Sequence, residues 1–172
     1  RRPSPTRHPR FSVSSYSILV VQSNLASTYD GLGLHEQALR LKRDVYFGYL
    51  KIKGRESYET LASAYNYANS LARLKRMGEA KALILETIPV ARRVLGEVHD
   101  LMFRMKGIYG QMLFVDTGAT LDDLREAVKF IEETMRTAQR VLGGAHPLTS
   151  AIKRDLRRSR TALAARETPS PG

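Results

Sequence analysis

Apolar positions recur three and four residues apart along most of the chain, the spacing of one face of an α-helix. Ala38, Leu41, Val45 and Tyr49 make one such stripe. Leu124, Val128, Ile131, Met135, Ala138 and Leu142 make a longer one. Gly, Pro and short polar stretches interrupt the pattern and divide it into seven predicted helices: 17–32, 35–52, 57–74, 77–95, 101–115, 121–142 and 147–166. Period-two alternation and hairpin turns are scarce, so the fold class read from the pattern is all-α. Pro89 falls inside the fourth helix, where it lacks a backbone donor and crowds the preceding turn; a kink is expected there. "RRPSPTRHPRFSVS" (1–14) and "ETPSPG" (167–172) are rich in Pro and Ser and are expected to be disordered, leaving 15–166 as the folded domain.

The helices repeat. "ARRVLGEVHD" (91–100) returns as "AQRVLGGAHP" (138–147), with Ala, Arg, Val, Leu, Gly and His in register. An offset of 42 aligns Asn24-Leu25-Ala26 with Asn66-Tyr67-Ala68, Gln37-Ala38 with Glu79-Ala80, and Gly54 with Gly96. Tyr67 and Leu71 meet Tyr109 and Leu113 at the same offset. Beyond Val115 the offset becomes 47, which places an insertion of about five residues at "DTGAT" (116–120). Each period therefore holds two helices, A and B. The repeated phrase reads as a joint: Val-Leu ends a B helix, Gly terminates it in a left-handed conformation, and the His joint launches the next A helix, with Pro147 suited to a first helical position. The last helix carries Leu148, Ile152, Leu156 and Leu163 on one side and bases on the other, as a capping helix of a repeat array would.

Those pieces together resemble the tetratricopeptide repeats of the kinesin light chain type. They are "NLASTYDGLGLHEQALRL" (24–41), "YANSLARLKRMGEAKAL" (67–83), "RVLGEVHDLM" (93–102) and "RVLGGAHPLT" (140–149). The resemblance covers about residues 20–150. Lys75 stands where the turn Gly belongs, Asp100 replaces Pro, and the third copy carries the insertion. No heptad segment like that which joins kinesin light chains to their motor is present in the sequence. The resemblance implies a helical-hairpin solenoid of about three repeats plus a C-terminal capping helix. It also implies a scaffold that holds a partner segment in a concave groove lined by A helices. The repeat positions put Ser23, Ser27 and Asp30 on the groove side in the first copy, Tyr65, Asn69 and Arg73 in the second, and Arg104 and Gln111 in the third. The chaperone-tail clamp of some relatives needs Lys, Asn and Arg donors around a carboxylate. Asn66 and Arg104 match it, but Ser23, Ser27 and Ile108 do not, and that specialisation is rejected.

Charge adds a second possible class of partner. The chain has 172 residues and a net charge of +11. Arg1, Arg2, Arg7 and Arg10 concentrate base at one end, and Lys153, Arg154, Arg157, Arg158, Arg160 and Arg166 at the other. Such ends are either a solvated surface or an electrostatic footprint for an acidic protein, an anionic membrane or RNA. A basic helical-repeat RNA-binding protein is the alternative function. Against it, the bases lie at the ends and no recurring base-reading pair marks the repeats. The absence of Cys excludes disulfides and thiol chemistry and fits an intracellular, cytoplasmic protein. No apolar run approaches a membrane span. The first residue is Arg rather than Met, which points to a fragment or a processed chain.

Candidate chemistry is thin. "FVDTGAT" (114–120) has the Asp-Thr-Gly pattern of aspartic proteases, but those need a second such Asp and loops held by strands. Helical flanks favour a local role, with Thr120 capping the next helix and Asp122 and Asp123 at its positive end. "GLGLHE" (31–36) lacks the third Gly of a phosphate loop and follows a helix. His8, His35, His99 and His146 have no metal-ligand spacing. The chain is read as a non-enzyme with no catalytic residues, cofactor or metal.

Overall fold

A computed structural model describes residues 13–168 of the chain. The disordered segments expected at 1–14 and 167–172 lie outside the described residues, apart from two residues at the inner edge of each. The described residues form seven α-helices and no strand: α1 Val13–Gly31, α2 His35–Lys53, α3 Tyr58–Arg73, α4 Met77–Leu95, α5 Asp100–Val115, α6 Leu121–Leu142 and α7 Pro147–Glu167. The chain divides into two compact units, Arg1–Ser63 and Ala64–Gly172, with the division inside α3.

In the first unit α1 and α2 form an antiparallel pair. Leu19 of α1 packs with Val45 and Tyr49 of α2, and Ile52 lies against them. Gly48 makes the approach close: a Cβ there would fall 2.4 Å from Leu19 Cδ2. The Tyr16 ring meets Tyr49 edge-on at 5.9 Å. In the second unit α5, α6 and α7 pack on one another, and α4 packs on α5. Phe103, Leu113, Ile131, Ile152 and Leu156 are the buried centre of that core. Gly110 admits Ile131, whose Cγ1 would lie 2.5 Å from a Cβ at that position. Interiors packed at this density leave no room for such an atom without displacement.

The turns within the first two hairpins share one geometry. Leu34 N–H donates to Tyr29 O and Gly33 N–H to Asp30 O; 42 residues on, Arg76 N–H donates to Leu71 O and Lys75 N–H to Ala72 O. Both are the Schellman pattern that closes a helix with a left-handed residue. Gly33 has φ +77° and Lys75 has φ +61°, so the lysine accepts a backbone conformation that glycine adopts freely.

The joints between hairpins share another. Gly54, Gly96 and Gly143 have φ of +80°, +80° and +88°, each donating to the carbonyl four residues back. Their ψ values of 175°, 167° and 157° are extended, not the left-handed helical ones expected from the sequence. That region is also essentially confined to glycine. His99 Nδ1 accepts from Leu101 N–H at 3.1 Å and His146 Nδ1 from Leu148 N–H at 3.2 Å. Ser57, at the matching place before α3, accepts from Thr60 N–H at 3.1 Å. Each side chain caps the orphan donors at the start of an A helix. α4 runs through Pro89 as one helix; Leu85, whose carbonyl loses that donor, is exposed.

Candidate functional site

The sequence-predicted groove residues fall into three groups. In the first unit, Ser27 Oγ donates to the carbonyl of Ser23 within α1. Asp30 is paired with Lys42, and its Oδ1 lies 3.3 Å from His35 Nδ1. Asp30 therefore ties the α1–α2 turn to α2.

The second group is Tyr65 and Arg104, which meet in the second unit. Arg104 Nε donates to Asp100 at 2.6 Å, one turn back along α5, and its guanidinium is an electrostatic neighbour of the Tyr65 phenol. Burial pushes the Tyr65 phenol above its ordinary value, and the neighbouring Arg104 charge works against that rise. The bond to Asp100 holds Arg104 still more firmly protonated.

The third group is the one the fold gathers into a cavity. Asn69 and Arg73 from the last turns of α3 face Gln111 of α5, together with Arg158 of α7, which sequence reasoning did not select. Ala72, Met77, Ile108, Met112 and Val115 make an apolar lining, and the cavity holds about 190 Å³. An apolar lining with a few convergent polar groups is the usual form of a recognition pocket.

Behind this cavity sits Asp155, a buried carboxylate on the inward side of α7. It accepts from Gln111 Nε2 at 2.7 Å and lies 3.5 Å from Arg158 Nη1. Burial pushes its carboxyl above the ordinary range, while the Gln111 bond and the arginines pull it down. The Arg158 guanidinium also lies 5.4 Å from the Phe114 ring centroid, a distance at which the ring face attracts a cation. Asp155 and Phe114 thus orient two of the polar groups at the cavity. The available signal was the acid at 155, one turn from Ile152 on an otherwise apolar stripe.

Asp116 does something different from protease chemistry. Its Oδ1 accepts from Gly118 N–H at 3.0 Å, closing a turn between α5 and α6. Thr120 and Asp123 then form a reciprocal capping box, Asp123 N–H to Thr120 Oγ1 at 3.1 Å and Thr120 N–H to Asp123 Oδ2 at 2.8 Å. Among the described residues no cluster of three or more His, Cys, Asp or Glu could hold a metal, and no helix is long and apolar enough to cross a membrane.

Helices paired as A and B, the first two pairs closed by one turn geometry and all linked by one joint geometry, define a helical-hairpin repeat protein. The family model for the tetratricopeptide repeat matches residues 60–100 and 119–148, each a stretch that ends at a glycine joint and the start of the following A helix. Two crystal structures of nearly identical TPR-like repeats, from a protein described as a kinesin light chain of Podosopora anserina, are similar to this chain. One, a substituted form, has TM-score 0.70 and 22% identity over 94% of this chain and 71% of that one. The other has TM-score 0.67 and 21% identity over 95% and 72%. BtubC (BKLC) from P. vanneervenii is similar at TM-score 0.58 and 15% identity, over 92% of this chain and 68% of its own. No curated protein sequence matches. Residues 60–100 and 119–148 thus match the tetratricopeptide repeat, and the chain is kinesin light chain-like in its fold. Folds of this kind serve in general as protein-interaction scaffolds rather than as enzymes.

Proposed function

We propose that the chain is a protein–protein interaction scaffold that holds a partner segment along the A helices, with its anchor point at the Asn69–Arg73–Gln111–Arg158 cavity. The observation that carries this reading is the meeting of two guanidiniums and two amides over an apolar lining. Such a cavity suits a segment with an apolar side chain beside a carboxylate: the lining takes the first, and the arginines take the second through charge-assisted bonds. Tyr65 and Arg104 extend the surface toward the start of the same helices. Ser23, Ser27 and Asp30 make the weaker part of the reading, because Asp30 is engaged in the turn and the Ser27 hydroxyl is engaged in its own helix. The excess of base in the chain favours acidic segments.

A displayed random-peptide library selected against the full chain tests this. Acidic-apolar peptides should be enriched, and Arg73→Ala with Arg158→Ala should weaken them at least about tenfold, or about 1.4 kcal/mol. Peptides that bind equally to the variants, and to a Tyr65, Asn69, Arg73, Arg104 fourfold alanine variant, would remove the groove. RNA binding is the less supported reading. The bases of α7 lie on one helix, and Arg160 is already paired with Glu132.

A further inference from the structure

The cavity has a counterpart one repeat along. An offset of 42 residues takes Asn69, Ala72 and Arg73 of α3 to Gln111, Phe114 and Val115 of α5. The offset of 47 takes those three to Arg158, Thr161 and Ala162 of α7. His99 before α5 and His146 before α7 cap their helices alike, so α7 stands in the register of an A helix. All nine positions line one or the other of two depressions, both within the second unit. The first is the cavity between α3 and α5. The second is a groove of about 520 Å³ between α5 and α7. Val115 and Arg158 belong to both.

The two depressions also share a chemistry. Phe114, Ala162 and Ala165 give the groove an apolar surface, as Ala72, Ile108 and Met112 do for the cavity. Base stands beside each: Arg73 and Arg158 at the cavity, Arg157 and Arg158 at the groove, with no acid lining either. Arg157 is exposed, and among the described residues its guanidinium pairs with no carboxylate. Arg158 has five N–H donors, of which one, on Nη1, lies near Asp155. Its place over the Phe114 ring sets the guanidinium at the boundary of the two sites. A segment crossing that boundary meets two positive charges between two apolar surfaces, an arrangement complementary to a carboxylate between two apolar side chains.

Building on the partner-segment reading above, we infer that the cavity and the groove are successive subsites for one segment, which carries two apolar side chains three residues apart with an acidic side chain between them. Spacing decides the form of that segment. α5 and α7 pack on each other, and packed helices lie about 8–10 Å apart. Subsites on the two sides of α5 are separated by about the same 8–10 Å. A polyproline-type segment rises about 3.1 Å per residue with three residues per turn, so side chains i and i+3 share a face about 9 Å apart. A β-strand puts same-face side chains about 7 or 13 Å apart and matches neither subsite pair nor spacing. The carboxylate between the two anchors then falls at Arg158, which both subsites share, with Arg157 one residue away.

Labelled synthetic peptides carrying Leu-Asp-Pro-Leu within a Gly-Ser carrier, titrated with the full chain and followed by fluorescence anisotropy, test the inference. Replacing either Leu by Ala, replacing the Asp by Asn, or widening the gap between the leucines by one residue should each weaken binding at least about tenfold. Ala165→Glu, at an exposed position of the groove, removes apolar surface there and repels the acid of the segment. Circular dichroism checks that this variant is folded. Against it the two-leucine peptide should bind no better than the tighter of the two single-leucine peptides. A two-leucine peptide that never exceeds the single-leucine ones, or an advantage that survives Ala165→Glu, would overturn the inference and leave the single-cavity reading standing. No binding by any of these peptides would overturn both.

Discussion

The first and last described helices, α1 and α7, treat their outer sides in opposite ways. α7 turns Ile152, Leu156 and Thr149 into the core and presents arginine, lysine and serine outward. α1 turns only Leu19 and Ala26 fully inward and leaves a run of aliphatic side chains in water. The outer side of α7 is polar and that of α1 is apolar. In a stack of repeats, each buries apolar area against its neighbours, so an end is closed only where the outward positions have become polar.

Large-to-small substitutions should expose this asymmetry first. Ile152→Ala removes a fully packed side chain from the core shared by α5, α6 and α7 and should cost about 2–4 kcal/mol in chemical denaturation. Leu25→Ala, at an exposed position of α1, should stay within about 0.5 kcal/mol. Equal losses would mean that α1 is packed as α7 is, and the contrast would fail. A smaller effect, of opposite sign, is expected at Thr149. Its Oγ1 is buried and without a hydrogen-bond partner, so Thr149→Val should stabilise the chain by about 1 kcal/mol; a loss of stability would show that the hydroxyl is satisfied after all.

The smallest expected effect is on pH. Asp155 has its folded-state carboxyl raised above the unfolded value by burial. The folded chain therefore binds more protons than the unfolded chain in the window between those two values. Its contribution to stability is complete below the unfolded value and is lost as pH rises through the folded one. Other carboxylates run the other way; Glu97, held below its ordinary value by the Lys106 hydrogen bond, is one. Melting curves across the acid range should thus show Asp155→Asn gaining on the wild type as pH rises through that window. A constant gap at every pH would assign Asp155 no proton of its own.

Much of the fold was legible because the joints repeat. Glycine at 54, 96 and 143 has no substitute in the extended, positive-φ geometry it adopts there, and the residue three further on must cap a helix. Those demands print one phrase into the sequence again and again. Pattern also yielded helix bounds within a few residues, since apolar spacing and backbone period are the same physics. The cavity was legible only in part. Asn69, Arg73 and Gln111 follow from repeat register, whereas Arg158 enters through tertiary packing of a helix that reads as a cap. Asp155 pairs with a residue 44 positions away, and no local rule announces such a partner. The exposed side of α1 was hidden for a simpler reason. Apolar spacing does not say which side of a helix is covered, and only the fold reveals that Ile18 and Val21 are exposed.

The account rests on the cavity of the second unit as the anchor for a partner segment. Methyl-resolved NMR of the full chain, titrated with an acidic-apolar peptide taken from the selection, tests it most directly. The methyl groups of Met77, Ile108, Met112 and Val115 should shift together and saturate, and the shifts should vanish when Arg73 and Arg158 are replaced by Ala. Shifts confined to residues beside the outward bases of α7, fading as salt is raised and indifferent to Arg73, would contradict it and leave only a charged surface.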